Sequence, residues 1–174
     1  MTFSLYDATV PAWQQMLDSV TGLLDKAEAH CAQHGIAAAE LIEARLAADM
    51  LPLGYQVKST VVHSAGAIRG LRLGVFSPDR SPWPDSFAGL HELVAAAREE
   101  LAALAPAELD AFLGRDMRFE IGTRYRLDFT AEHFLMSFSL PNFYFHATTA
   151  YDILRAKGLA IGKVDYLGRM RTRS

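Results

Sequence analysis

An apolar side chain recurs every three or four residues near the start of the chain: Val10, Trp13, Leu17, Val20, Leu24, Ala27 and Cys31. Only an α-helix places such a series on one side. A stripe of about six turns needs other helices to cover it, so the pattern calls for a helical bundle. Thr9-Val10-Pro11 reads as the start, because proline is tolerated in a first turn, and Gly35 as the stop.

Three further patterns complete the bundle. From Ala38 onward, Leu46, Met50, Leu53, Val57, Val61, Ala65, Ile68 and Leu71 share a face, with Pro52 inside it. Proline removes a backbone donor and crowds the preceding turn, so a kink near Met50 or a break into two helices is expected. Residues 74–86 are rich in glycine, proline and aspartate and read as a crossover loop, too short for a domain boundary. Phe87, Leu90, Val94, Ala97, Leu101 and Leu104 make the third helix, which opens at Asp85 or Ser86 and ends at Pro106. Residues 107–112 could add one turn. The period then changes. Met117-Arg118-Phe119-Glu120-Ile121 and Arg124-Tyr125-Arg126-Leu127-Asp128-Phe129 alternate around Gly122-Thr123, the pattern of a β-hairpin whose apolar side should lie on the bundle. Thr130 is the expected N-cap of a fourth helix, which can bend at Ser139-Leu140-Pro141 and end at Gly158. The expected fold is mainly α. It is one domain over residues 1–174, a four-helix bundle with a long crossover between helices 2 and 3 and a small β-hairpin before the last helix.

Composition narrows the function. Apolar residues are 51% and charged residues 21%, a globular balance. Twenty acidic against 17 basic residues, a net charge of −3, give no electrostatic reason to expect nucleic acid. No apolar run approaches the roughly 20 residues of a membrane span. A single cysteine excludes an internal disulfide and a Cys-only zinc site. Met1–Asp7 shows no basic region followed by an apolar stretch, so a cytoplasmic location is expected. Arg169, Arg171 and Arg173 near the other end read as a solvated tail or a docking segment for an acidic partner.

The run Leu140-Pro141-Asn142-Phe143-Tyr144-Phe145-His146 through Arg155 is distinctive, as is Ile161-Gly162-Lys163-Val164-Asp165-Tyr166-Leu167-Gly168. With Asp49-Met50-Leu51-Pro52-Leu53, Gln56-Val57 and Leu5-Tyr6-Asp7, they resemble a bacterial family of unknown function. That family is grouped with the DinB/YfiT-like four-helix bundles, often regarded as metalloenzymes. The resemblance implies the bundle fold, frequent homodimers and a pocket between helices for a divalent metal such as Zn, Ni or Mn. It implies no assigned reaction. The usual metal set is one histidine from the second helix and a pair spaced by three residues on the last. His146 matches one of that pair. Asn142 stands one turn earlier, in place of the other. The second helix offers Asp49, Gln56 and His63.

Helical geometry supports looking there. At 100° per residue, His146 and Asn142 lie about 40° apart, and Leu135, Ser139, Phe143, Ala150 and Ile153 fall within about 60° of His146. His146 is thus on a core-facing stripe, with Ser139, Asn142 and Thr149 as polar companions. Asp49, Gln56 and His63 are seven apart, a drift of about 20° per step, and border the second helix's apolar face. Facing each other, these groups could ligate a metal through His146 and His63, or orient a small ligand. The plainer alternatives are a core His146 bonded to Asp49, Gln56 or a backbone carbonyl, a half-exposed His63, an Asp49 that caps local backbone, and an Asn142 that satisfies groups loosened by Pro141.

Other chemistry-bearing residues have simple readings. His30 and His34, four apart, belong to a solvated helix end. Cys31 lies on the core stripe as an inert thiol. His91 and His133 fall on exposed positions. There is no phosphate-binding loop and no nucleophile elbow. Tyr144 and Tyr151 point about 140–160° away from His146, so the last helix needs cover on two sides, from the hairpin and from a homodimer partner. Lys163, Asp165 and Tyr166 should tie the C-terminal segment down. Two functions follow. One is a pocket around His146, Asn142, Gln56, His63, Asp49 and Thr149 that holds a divalent metal or a small ligand; the resemblance would make it a metal-dependent hydrolase or thiol transferase. The other is a non-catalytic, dimeric ligand-binding or interaction module whose polar core groups fix helix register.

Overall fold

The computed structural model describes residues 3–173. Met1 and Thr2, part of the start read above, and Ser174, the end of the arginine tail, lie outside them. Helix α1 spans Leu5–His34. It begins before Thr9, because Ser4 and Asp7 form a capping box: the Ser4 hydroxyl accepts the Asp7 N–H, and the Asp7 carboxylate accepts the Ser4 N–H, both at 3.1 Å. Pro11 therefore sits within the helix instead of opening it. Gly35 ends it at φ 66°, a left-handed cap that glycine adopts without steric cost.

The second pattern breaks more than Pro52 alone required. Helix α2 covers only Ala38–Ile42, and residues 43–52 are irregular. The Ala44 carbonyl accepts the Leu53 N–H at 2.9 Å, which closes this loop and sets the direction of α3 (Leu53–Val62). Pro52 is the extended N-cap of α3. Leu46, placed by periodicity on the apolar face, is exposed instead. A second break at His63-Ser64 separates α4 (Ala65–Leu73).

Helix α5 spans Phe87–Ala103, capped by the Ser86 hydroxyl, and α6 is the expected extra turn, Pro106–Asp110. The hairpin forms as β2 (Asp116–Ile121) and β3 (Tyr125–Thr130), in register from Asp116 opposite Thr130 to Ile121 opposite Tyr125. A third strand was not foreseen: β1 (Val75–Phe76), from the start of the crossover, pairs parallel with Arg118 and Phe119. The last helix runs without interruption as α7 (Ala131–His133), a wide π-helical stretch at Phe134–Ser139, and α8 (Leu140–Ala156). Thr130 is its N-cap position, although its side chain makes no capping bond.

The long helices neighbour one another in the ring α1–α5–α3–α8, with the contact between α3 and α8 the most extensive. The fold is thus mainly helical, a four-helix bundle with a small three-stranded sheet before the final helices. Phe76, Phe119, Phe129, Phe134 and Phe138 pack edge and face between the sheet and the π stretch, which seats the hairpin. The tyrosine side of α8 is covered by the same chain. Helix α9 (Lys163–Leu167) lies there, with the Tyr166 hydroxyl 2.9 Å from Thr148 Oγ1 and its ring against Tyr151. Asp165 pairs with Lys26 of α1. Among the described residues, no helix is long and apolar enough to cross a membrane.

At Gly54 of α3 the crossover packs against the bundle. A Cβ there would fall 2.5 Å from Trp83 Cδ1 and 3.0 Å from Ile42 Cγ2. The Trp83 indole N–H donates to Glu43 at 2.8 Å. Gly54→Ala is expected to expel the indole, shift tryptophan emission to the red and lower unfolding free energy in urea by about 1–3 kcal/mol; unchanged emission and stability would contradict this packing.

Candidate functional site

Helix α3 is buried nearly all round: Gln56, Lys58, Ser59 and Thr60 are inside along with Leu53, Val57 and Val61. Each buried polar group therefore needs a partner. Gln56, 2% exposed, has two. Its Nε2 donates to the Leu51 carbonyl at 2.7 Å, and its Oε1 lies 2.7 Å from His146 Nδ1. A carbonyl can only accept, so the Leu51 contact fixes which end of the amide faces His146. The amide oxygen can only accept too, so the proton of His146 sits on Nδ1. Its Nε2 is left with a lone pair.

His63 occupies the break between α3 and α4. As C-cap its carbonyl has left the helical ladder, and Ser139 Oγ of the π stretch donates to it at 3.0 Å. Ser139 Oγ also lies 3.4 Å from His63 Nδ1, with its own proton already given to the carbonyl. The two imidazoles stack, with centroids 5.7 Å apart and planes 17° from parallel. Burial, and then the His146 charge, push His63 down to about 3, and burial pushes His146 down to about 4. Both rings are neutral at pH 7.

The rings line a cleft of about 370 Å³ between α3 and α8. Tyr55, Phe76, Phe119 and Phe138 supply aromatic walls, and Pro78 and Asp79 bring the crossover loop to its mouth. Tyr55 meets His146 edge to face at 5.8 Å. Lys58, 4% exposed, holds the loop. Its ammonium donates to the carbonyls of Asp79 and Ser81 and to Ser81 Oγ, and lies 3.2 Å from Asp79 Oδ1. Partial burial opposes ionisation of Asp79, but the bonds from Ser81 and Lys58 outweigh it and hold the carboxyl below its usual range.

Of the residues expected here, the structure brings together His146, His63, Gln56 and Asn142. Asn142 lines the cleft, its amide N–H₂ donating to Phe138 O at 2.7 Å. Asp49 is not among them. It lies exposed in the irregular loop before Pro52, because the helix needed to carry it at seven-residue spacing from Gln56 ends at Ile42. Thr149 is buried, but its hydroxyl donates to Phe145 O on its own helix and does not line the cleft. Lys58, Asp79 and Tyr55 were not anticipated. A lysine between Val57 and Ser59 reads as surface until α3 is known to be central. Elsewhere, Cys31 is buried, and burial, Glu40 and Glu28 push its thiol up. His34 folds back on the His30 carbonyl, and His91, expected to be exposed, is half-buried beside Asp25.

The family model described as a domain of unknown function (DUF1993) matches residues 5–167. The chain belongs to the DUF1993 family. This DUF1993 chain is also similar to a crystal structure described as a DinB family member protein from Shewanella denitrificans, at 29% identity over 98% of this chain and 95% of that one, with a TM-score of 0.81. No curated protein matches it.

The metal implied by the DinB-like fold can be tested against the side chains present. Zinc sites take three or four protein ligands. The DUF1993 cleft offers two imidazole nitrogens, and among the described residues no three His, Cys, Asp or Glu side chains are grouped to hold a metal. Asp79, the carboxylate at the mouth, is engaged by the Lys58 ammonium. The residues do not fit a resident divalent metal.

The depressed histidines have a consequence for stability. Below pH 6.5 the unfolded chain takes up protons at both rings while the native chain does not, so stability falls as pH falls, until the native rings titrate near 4 and 3. Each ring should cost about 1.4 kcal/mol per pH unit, or about 2 kcal/mol at pH 5. Urea unfolding at pH 7 and pH 5 should show this slope in the wild type and a flatter one in His63→Gln/His146→Gln; equal slopes would contradict neutral buried rings.

Proposed function

We propose that this DUF1993 protein is a cytoplasmic small-molecule-binding protein, and that the cleft between α3 and α8 binds its ligand without a metal. The observation that carries this reading is the 2.7 Å bond between Gln56 and His146, which leaves Nε2 as a hydrogen-bond acceptor on the wall of a 370 Å³ aromatic cleft. Pockets of this size, largely apolar with a few convergent polar groups, are the usual form of small-ligand sites. Ligand contact falls to His146, His63, Asn142 and Tyr55. Gln56 positions His146, and Lys58 with Asp79 holds the crossover at the mouth. Two neutral imidazoles can accept a hydrogen bond or take a proton, which is the polar chemistry available for any reaction there. Because α9 already covers the tyrosine side of α8, we take the cleft, not a homodimer surface, as the functional element.

A fragment library screened by thermal shift tests this. Stabilising fragments should bind equally with and without EDTA, and about tenfold or more weakly to His146→Phe. Zinc, nickel or manganese bound at one equivalent by the tag-free protein, and lost in both His63→Gln and His146→Gln, would contradict it.

A further inference from the structure

The sheet ends on β3, which is paired on one side only, with β2. Two hydrogen bonds fix which of its backbone groups face outward. The Arg118 N–H donates to the Gly74 carbonyl at 3.1 Å, so Arg118 turns its backbone toward β1 and away from β3. Beyond the far end of the ladder, the Ala131 N–H donates to the Arg115 carbonyl at 2.9 Å, so that pair exchanges bonds. In an antiparallel ladder, bonded and non-bonded pairs alternate. Counted from either bond, Met117 with Phe129, Phe119 with Leu127 and Ile121 with Tyr125 are bonded, whereas Arg118 with Asp128 and Glu120 with Arg126 are not. Arg126 and Asp128 therefore point their N–H and C=O groups away from β2, and among the described residues no backbone group meets them there.

Proteins commonly guard such an edge with proline, lysine or a bulge. Strand β3 has none of these, and its register runs unbroken from Tyr125 to Thr130. Tyr125, Arg126 and Asp128 are exposed. The edge is also complementary to itself. A second copy related by a twofold axis normal to the sheet would run antiparallel to β3, and the outward-facing residues of the two strands would meet. An axis through Arg126 or through Asp128 sets that residue against its own copy, and like charges directly opposite destabilise a sheet. An axis through Leu127 sets Arg126 against the partner's Asp128, and Asp128 against the partner's Arg126. Only this register puts both residues opposite the other charge. It also places Tyr125 opposite the partner's Phe129, an aromatic pair.

We propose that β3 is the contact surface for a second copy of this chain, joined edge to edge as antiparallel strands centred on Leu127, so that two three-stranded sheets become one. This surface is separate from the tyrosine side of α8, which α9 covers. It does not depend on the ligand reading, but it bears on the cleft. Leu127 pairs with Phe119, a residue of the cleft wall, so the added strand braces the hairpin that carries that wall.

Sedimentation equilibrium and amide exchange of the full chain test this. A strand pair with its flanking side chains buries less than about 1,200 Å², the range of weak contacts, so half of the chains should be paired near about 0.1 mM. Between about 0.01 and 1 mM, exchange of the Arg126 and Asp128 amides should slow about fourfold, and that of the Leu127 amide, bonded to β2 in both forms, should not. For the register, Arg126→Asp and Asp128→Arg each set like charges opposite one another and should weaken self-association at least about tenfold. Mixed together, the two variants have opposite charges at every facing pair and should associate as the wild type does. A wild type that stays monomeric at about 1 mM, or that dimerises without slowing the Arg126 and Asp128 amides, would overturn the proposal. So would a mixture that associates no more tightly than either variant alone. The wild-type exchange decides the surface without any variant having to fold.

Discussion

The Gln56 side chain is the joint on which the interior depends. It is nearly sealed from water and bonds in two directions, back to Leu51 in the loop before α3 and across to His146 on α8. One amide thus ties the irregular segment, α3 and α8 together, at the most extensive helix contact in the bundle. Removing it would strand the Leu51 carbonyl and His146 Nδ1, each at about 1–3 kcal/mol. The same bond decides the chemistry, since it assigns the proton of His146 to Nδ1 and leaves the lone pair on Nε2.

A second buried group, Lys58, organises what lies outside that joint. Its ammonium gathers Asp79 and Ser81, so the crossover returns over α3 instead of leaving the bundle. Phe76 at the start of the crossover then pairs beside Phe119, and the hairpin closes on Phe138 of the π stretch. The π stretch ends just before Pro141, which has no N–H to give a helix, and its wider turn carries Ser139 to the His63 carbonyl. The cleft is thus enclosed by parts that a bare four-helix bundle does not have.

Much of this was legible. The stripes of α1 and α5 are long enough to outvote local exceptions, and Met117–Phe129 alternates cleanly, so these elements stand where periodicity puts them. His146 and Gln56 were also visible, because their helical faces are set by many apolar neighbours. The failures come from tertiary context. Residues 43–51 have good helical propensity, but the Ala44–Leu53 hydrogen bond draws them into a loop, a tertiary contact no local pattern reveals. Asp49 left the site with them. His63 was legible from its spacing, because α3 runs unbroken from Gln56 to the cap at His63 and breaks only after it. Lys58 was missed because α3 is buried on nearly every side, where polarity no longer marks the surface.

The central claim is that two neutral imidazoles line the cleft, with His146 held in the Nδ1–H form by Gln56. Long-range ¹H–¹⁵N correlation spectra of the histidine rings measure this directly. The account predicts a protonated Nδ1 and an unprotonated Nε2 for His146, unchanged from pH 7.5 to pH 5.5, as follows from a ring that titrates near 4. A proton on Nε2, or an imidazolium at pH 6, would contradict it.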